Sequence, residues 1–236
     1  MDALILAAGR GERLRPLTDA TPKPLLEVAG KPLIVYHLEA LAASGIARLV
    51  VNLAHLGEQI EAALGDGSRF GVSIGYSYEP PGALETGGGI VQALERLSSD
   101  PFLVVNSDIW TDFDFRDLPA TISGLAHLVL VPNPPHNAGG DFCLDGDRVM
   151  DDDAPCRGEK LTYSGIGMYR RALFADYAPG RYPLAPLLRR AASAGQVSAQ
   201  RHAGGWLDIG TPDRLHELKR RLTANPDIAP RRRNRR

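Results

Sequence analysis

Residues 4–26 read LILAAGRGERLRPLTDATPKPLL, an apolar run that breaks into a glycine and arginine loop and ends on one lysine between two prolines. Gly9 and Gly11 tolerate backbone conformations that bulkier residues resist, so successive N–H groups can converge on phosphate oxygens. Ala7 and Ala8 carry almost no side chain and let the backbone come close to a base or ribose. Arg13 and Lys23 supply positive charge, and Pro22 and Pro24 fix the backbone that carries the lysine. The set suits the holding of a nucleoside triphosphate. Arg15 fits an ion pair as well as a ligand contact. Two common phosphate motifs are excluded: the dinucleotide fingerprint needs a third glycine where Leu14 stands, and the P-loop needs Gly-Lys-Ser/Thr where Gly11 is followed by Glu12 and Arg13.

Carboxylates suited to a metal come later. Val104-Val105-Asn106-Ser107-Asp108 is an apolar run ending in polar residues, which places them at the carboxyl edge of a sheet, where open α/β sheets bind ligands. Asp108 fits a magnesium ion, which takes one or two carboxylates plus phosphate oxygens and waters, or the capping of a turn. Asn106 fits a ribose hydroxyl or the strand end. Asp208, in WLDIGTP, is flanked by Leu207 and Ile209, so a divalent cation or internal hydrogen bonds must offset the desolvation of its anion. Between these, LETGGG (84–89) precedes a helix expected from Ile90, and Thr86 and Gly87 would offer a hydroxyl and bare N–H groups at its positive end. A flexible linker with an N-cap is the alternative. The six histidines form no i, i+3 or i+4 pair, so zinc is not indicated.

Strand-like and helix-like runs must position these groups, and they alternate: strand from Leu4, helix 33–43, strand 47–53, helix 57–64, strand 72–78, helix 90–97, strand 101–106. Such alternation gives βαβ units, hence an α/β protein of Rossmann-like kind with a mixed, mainly parallel sheet flanked by helices. After strand 125–131, residues 141–150 carry Asp-Gly in a strand-like context and read as a hairpin, a small antiparallel insertion over the sheet. Strand 161–169, helix 184–194, strand 206–209 and a helix 212–222 capped by Thr211 complete the pattern. One domain is expected over 1–223, followed by a disordered basic tail over 224–236 with two prolines and the run Arg231 to Arg236.

A net charge of -1 offers no general field for nucleic acid, and no apolar run reaches the length of a membrane span. Cys143 and Cys156 are too few for a disulfide scaffold and lack metal-ligand spacing, so they read as two thiols of a cytoplasmic protein.

The string over 4–26, with NSD at 106–108 and WLDIGTP at 206–212, resembles the signature of the sugar-1-phosphate nucleotidyltransferases. These couple a nucleoside triphosphate to a sugar 1-phosphate and release pyrophosphate. The resemblance implies that Lys23 holds the α-phosphate and the incoming sugar phosphate, and that Arg13 neutralises the leaving phosphates. By the same resemblance Asp108 and Asp208 share one Mg2+, while Thr86 and Gly87 read the base above Ala7, Ala8 and Gly9. Glu85 departs from the guanylyltransferase-like form, where a small residue is common. Asp141 and Thr162 to Gly165 are candidates for sugar hydroxyls, each also readable as structural. The longer pattern, including LETGGG, NSDIWTDFDF and LAHLVLVPNPPHNAGGDF, looks like the bacterial branch that uridylylates N-acetylmuramate 1-phosphate for peptidoglycan recycling. Mannose-1-phosphate guanylyltransferases and glucose-1-phosphate thymidylyl- or uridylyltransferases are its rivals. Arg157, Lys160, Arg201 and His202 either meet the acid group of that sugar or face water. No appended domain is visible, which favours a monomer or homodimer.

Overall fold

The computed structural model describes residues 1–80, 84–150 and 155–225. In the first half, β1 (Ala3–Leu6) leads through a loop holding the one-turn α1 (Leu17–Ala20) and the short strands β2 (Glu27–Val28) and β3 (Lys31–Pro32) into α2 (Leu33–Ala43). β4 (Arg48–Leu53), α3 (Gly57–Leu64), β5 (Ser73–Tyr78), α4 (Glu85–Ala93), β6 (Phe102–Asn106) and β7 (Ile109–Thr111) follow. The second half holds β8 (Ala126–Val131), β9 (Phe142–Asp145), β10 (Arg148–Val149), β11 (Glu159–Tyr169), α5 (Ala185–Ser193), β12 (Val197–Arg201), β13 (Trp206–Asp208) and α6 (Pro212–Ala224).

Nine strands form one sheet in the order β5-β4-β1-β6-β11-β8-β12-β10-β9. It is parallel from β5 to β6; beyond β6 the pairings are antiparallel except β8 with β12. Successive side chains of a strand point to opposite faces, and the core divides accordingly. Ala3, Ile5, Leu49, Val51, Leu103 and Val105 pack on one side with α2 and α3. Leu4, Val50, Phe102 and Val104 pack on the other with α4 and α5. A third cluster joins Leu14, Leu26, Trp110 and Ile209 to Leu215, Leu218 and Leu222 of α6. That cluster fastens the glycine loop to the end of the chain.

Three expectations are corrected. The hairpin β9–β10 does not lie over the sheet: β10 pairs with β12 and β9 with Glu159–Leu161 of β11, so β11, β8, β12, β10 and β9 close a circuit of strands. Cys143 and Cys156 are joined as a disulfide with a Cα–Cα distance of 5.6 Å, tying β9 to the segment that enters β11. Helix α4 begins at Glu85 rather than Ile90, taking Gly87, Gly88 and Gly89 into its first turns. A β-carbon there would meet Tyr182 at Gly87, the carbonyl oxygen of Gly180 at Gly88, and Asn52 and Glu79 at Gly89, so close packing fixes these glycines rather than loop flexibility. The carboxyl-terminal helix ends at Ala224, and residues 226–236 of the expected tail lie outside the described residues.

Candidate active site

The carboxyl ends of β1, β4, β5 and β6 open into a cleft of about 470 Å³. Of the residues singled out in the sequence, Ala8, Gly9, Gly11, Arg13, Lys23, Thr86, Asn106 and Asp108 line it. Strand register brings them together: Leu6 stands opposite both Asn52 and Asn106, and the Ser107 N–H donates to the Leu6 carbonyl at 3.0 Å. Ala7 lies buried just behind the lining, its N–H donating to Asn52 Oδ1 at 2.7 Å. Gly87 is buried against Tyr182.

The glycine loop turns on Gly11, whose φ of +65 is a conformation that favours glycine. Its carbonyl accepts from Thr18 Oγ1 and from the Leu14 N–H, both at 2.8 Å, which folds the loop into a short 3-10 turn carrying Arg13 into solvent. Arg15 makes an exposed ion pair with Asp19 at 3.2 Å, the first of the two roles open to it. Lys23 begins a second 3-10 turn closed by Leu26 N–H donation to the Lys23 carbonyl. The lysine side chain is only 9% exposed, and its Nζ lies 2.6 Å from Asp108 Oδ2. An ammonium so enclosed stays solvated by that one carboxylate, and both groups face the same cleft.

Asp208 reaches the site by a different route. β13 pairs with β7 so that Asp208 stands opposite Ile109, and the Ile209 N–H donates to the Asp108 carbonyl at 2.7 Å. The backbones of the two aspartates are therefore neighbours across a two-strand ladder, although Asp108 lines the cleft and Asp208 does not. Asp208 Oδ1 lies 2.8 Å from His136 Nε2 and 3.1 Å from Arg214 NH1. This oxygen is buried and neither contact has hydrogen-bonding geometry, so the hold of Arg214 on it is coulombic. Among the described residues no three His, Cys, Asp or Glu side chains gather as a metal cluster. Two carboxylates nonetheless fit a hard cation that takes its remaining oxygens from phosphates and water.

Polar residues that sequence reasoning passed over also line the cleft. Asn52 is the last residue but one of β4 and Glu79 follows β5; Asn52 Nδ2 donates to Glu79 Oε1 at 2.6 Å, and the Leu84 N–H donates to Glu79 Oε2 at 2.8 Å. Burial raises the Glu79 carboxyl above its ordinary range, opposed by these two hydrogen bonds. The signal that would have found Asn52 is akin to the one that found Asn106, a polar residue near the carboxyl end of an apolar strand; Glu79 follows the half-polar SIGYSY and carries no such signal. Glu85 also lines the cleft, with φ +60 and an ion pair to Arg181 at 3.0 Å. The backbone there is one that glycine adopts without strain.

The acceptor candidates lie outside this lining. Asp141 accepts from the Tyr163 N–H at 2.8 Å and from Asn137 Nδ2 at 3.1 Å. Thr162 Oγ1 donates to Asn133 Oδ1 at 2.9 Å, so together they brace residues 133–141 against β11. Gly165, φ +86, forms the bulge of β11 and leaves room for the Asn106 side chain, which a β-carbon would meet at 2.9 Å. Arg201 pairs with Glu159 at 3.0 Å and His202 with Asp112 at 2.9 Å. Trp206 packs against the core and donates Nε1–H to the Ser164 carbonyl at 2.9 Å, while Trp110 is almost wholly buried, both in keeping with packing roles.

Residues 2–136 match the family model described as nucleotidyl transferase. The N-acetylmuramate alpha-1-phosphate uridylyltransferase of Neisseria meningitidis serogroup B is 55% identical over 225 residues, covering 93% of this chain and 97% of that protein. Its namesake in Caulobacter vibrioides is 33% identical, covering 93% and 96% of the two chains. Among solved structures, a putative glucose-1-phosphate thymidylyltransferase from Bacillus anthracis superposes with a TM-score of 0.82 at 22% identity, covering 93% of this chain and 94% of its own.

Proposed function

Since the chain belongs to the nucleotidyl transferase family, we propose that it joins UTP to N-acetylmuramate 1-phosphate, giving UDP-N-acetylmuramate and pyrophosphate. The observation that carries the reaction class is the meeting of Lys23 with Asp108 at the cleft into which the Gly9–Gly11 loop opens. The sugar and base rest on the 55% identity to the Neisseria protein over nearly both whole chains.

In this reading a phosphate oxygen of the sugar 1-phosphate attacks the α-phosphorus of UTP in line. The new P–O bond forms as the bond to the bridging α,β-oxygen breaks, and the electron pair leaves with pyrophosphate. Such a transfer asks the protein for placement and charge neutralisation rather than for a covalent intermediate. We assign Lys23 to the α-phosphate and the incoming phosphate, Arg13 to the departing pyrophosphate, and the backbone of Gly9 and Gly11 to the polyphosphate. Thr86 and Gly87 take the base edge, Ala7 and Ala8 the nucleoside, Asn106 the ribose, and Asp141 and Gly165 the sugar side. Asp108 and Asp208 are the residues that would hold Mg2+, which supplies further charge neutralisation when bound.

UTP supply places the reaction in the cytoplasm, where it would return recycled cell-wall sugar to peptidoglycan precursors. The acting unit is a single domain over 1–223, as monomer or homodimer. The test is pyrophosphate release from each of UTP, GTP, TTP, CTP and ATP against N-acetylmuramate, mannose and glucose 1-phosphates. Release with UTP and N-acetylmuramate 1-phosphate far above the other pairs is expected. Comparable or greater rates with mannose 1-phosphate and GTP would overturn the substrate assignment, and no release with any pair would overturn the reaction.

A further inference from the structure

Arg214 stands where a cation is electrostatically misplaced. It is the third residue of α6, whose amino-terminal end carries the positive pole of the helix dipole, and such positions favour anions. Its side chain is 14% exposed and its Nε is buried without a hydrogen-bond partner. The group that holds it is Asp208, 3.1 Å from NH1. On its other side lies Gly210, part of the cleft wall. A β-carbon at Gly210 would meet Arg214 NH2 at 2.1 Å and Arg13 NH2 at 2.9 Å, so two guanidinium groups converge on one α-carbon. Arg13 has no ion-pair partner among the described residues. Two like charges drawn together at a cleft wall, with one carboxylate for the pair, are arranged for an anion that brings more negative charge.

We propose that Arg214 is a second guanidinium of the pyrophosphate site, acting with Arg13 across Gly210. It rests on Asp208 in the free protein and turns toward the β and γ phosphates when Asp208 is drawn to a divalent cation. The absence of any side chain at Gly210 is what lets both guanidinium groups close on the same phosphate oxygens. Guanidinium suits the task because its planar fork binds phosphate through two parallel N–H donors. The proposal rests on the nucleotidyl-transfer reading of the cleft and adds to it a residue from the far end of the chain.

Calorimetric titration with magnesium pyrophosphate tests it, alongside Mn2+ binding in the absence of nucleotide, read by electron paramagnetic resonance. Arg214→Gln is expected to weaken pyrophosphate by about tenfold or more. Arg214→Lys should recover only part, because one ammonium cannot replace the fork. Mn2+ affinity should hold or rise in Arg214→Gln, since Asp208 loses a competing cation. Pyrophosphate affinity within about twofold of wild type would overturn the proposal. So would a fall in Mn2+ affinity equal to the fall in pyrophosphate affinity, the result expected if Arg214 only orients Asp208. If Arg214→Gln does not fold, Gly210→Ala takes its place: the methyl group must part the two guanidinium groups, and unchanged pyrophosphate affinity would again overturn the idea. A wild-type protein that binds no pyrophosphate at all would remove the nucleotidyl-transfer reading itself, a result distinct from failure of the variants alone.

Discussion

Lys23→Met separates charge from packing at the centre of the site. Methionine fills nearly the same volume as the lysine stem, so the 9% exposed side chain keeps its contacts while the ammonium disappears. The carboxylate left behind, Asp108, is 39% exposed and can recover water. Its loss of a partner should therefore cost no more than about 1 kcal/mol. For a chain of this size that moves the unfolding midpoint by roughly 2–4 °C. Catalysis should respond far more. Removing one charge-stabilising group from a transition state costs about 10² to 10³ in turnover, which corresponds to roughly 3–4 kcal/mol of barrier. The assay is coupled pyrophosphate release at saturating substrates, run beside thermal unfolding of the same preparation. Turnover within about threefold of wild type, with the midpoint unchanged, would show that the ammonium does not serve the reacting phosphate. A midpoint lowered by more than about 10 °C would instead make Lys23 a structural residue.

Two further outcomes follow from burial and close packing. His37 is buried on α2 with Nε2 2.8 Å from the Ile109 carbonyl oxygen, and burial lowers its pKa from 6.5 to about 4. Between those values the unfolded chain binds a proton that the fold refuses, so stability falls as pH drops through that window. The loss reaches about 3 kcal/mol at its foot. Urea unfolding at pH 7 and pH 4.5 should show that drop reduced in His37→Gln, and parallel pH profiles would refute it. At Gly88, alanine gains about 1 kcal/mol of helix propensity but sets a β-carbon 2.0 Å from the Gly180 carbonyl oxygen. Backbone cannot yield as a flexible side chain does, so the clash should outweigh that gain and leave a net loss of up to about 2 kcal/mol. A stabilised Gly88→Ala in the same urea assay would mean that α4 moves freely over residues 178–182.

The parallel half of the sheet was legible because β1, β4 and β6 are largely continuous apolar runs, β5 is a half-buried one, and helices of period 3.6 separate them, and the helix 33–43 matches to the residue. β12 was not, because VSAQR alternates with polar residues and is only five long. The early start of α4 was hidden by three glycines whose poor helix propensity is overridden by the bodies packed against them. Asp108 and Asp208 could be singled out by residue type and flanking apolar residues, and Lys23 by the prolines on either side and the glycine and arginine string before it. Their present partners could not, since Arg214 and His136 meet Asp208 only through the folding of distant segments. The disulfide is of the same kind: a separation of 13 residues says nothing of whether two Cα atoms end 5.6 Å apart.

The short ladder between Ile109–Thr111 and Trp206–Asp208 has a bearing on how the protein folds. One strand of the ladder lies in the first half of the sequence, yet its partner lies far along the chain. Closing so long a span carries an entropic cost that only the finished sheet and the α6 contacts offset. A polypeptide that had not yet paired β13 would thus hold the cleft with Asp108 alone, and Asp208 would join its neighbour only as α6 docked.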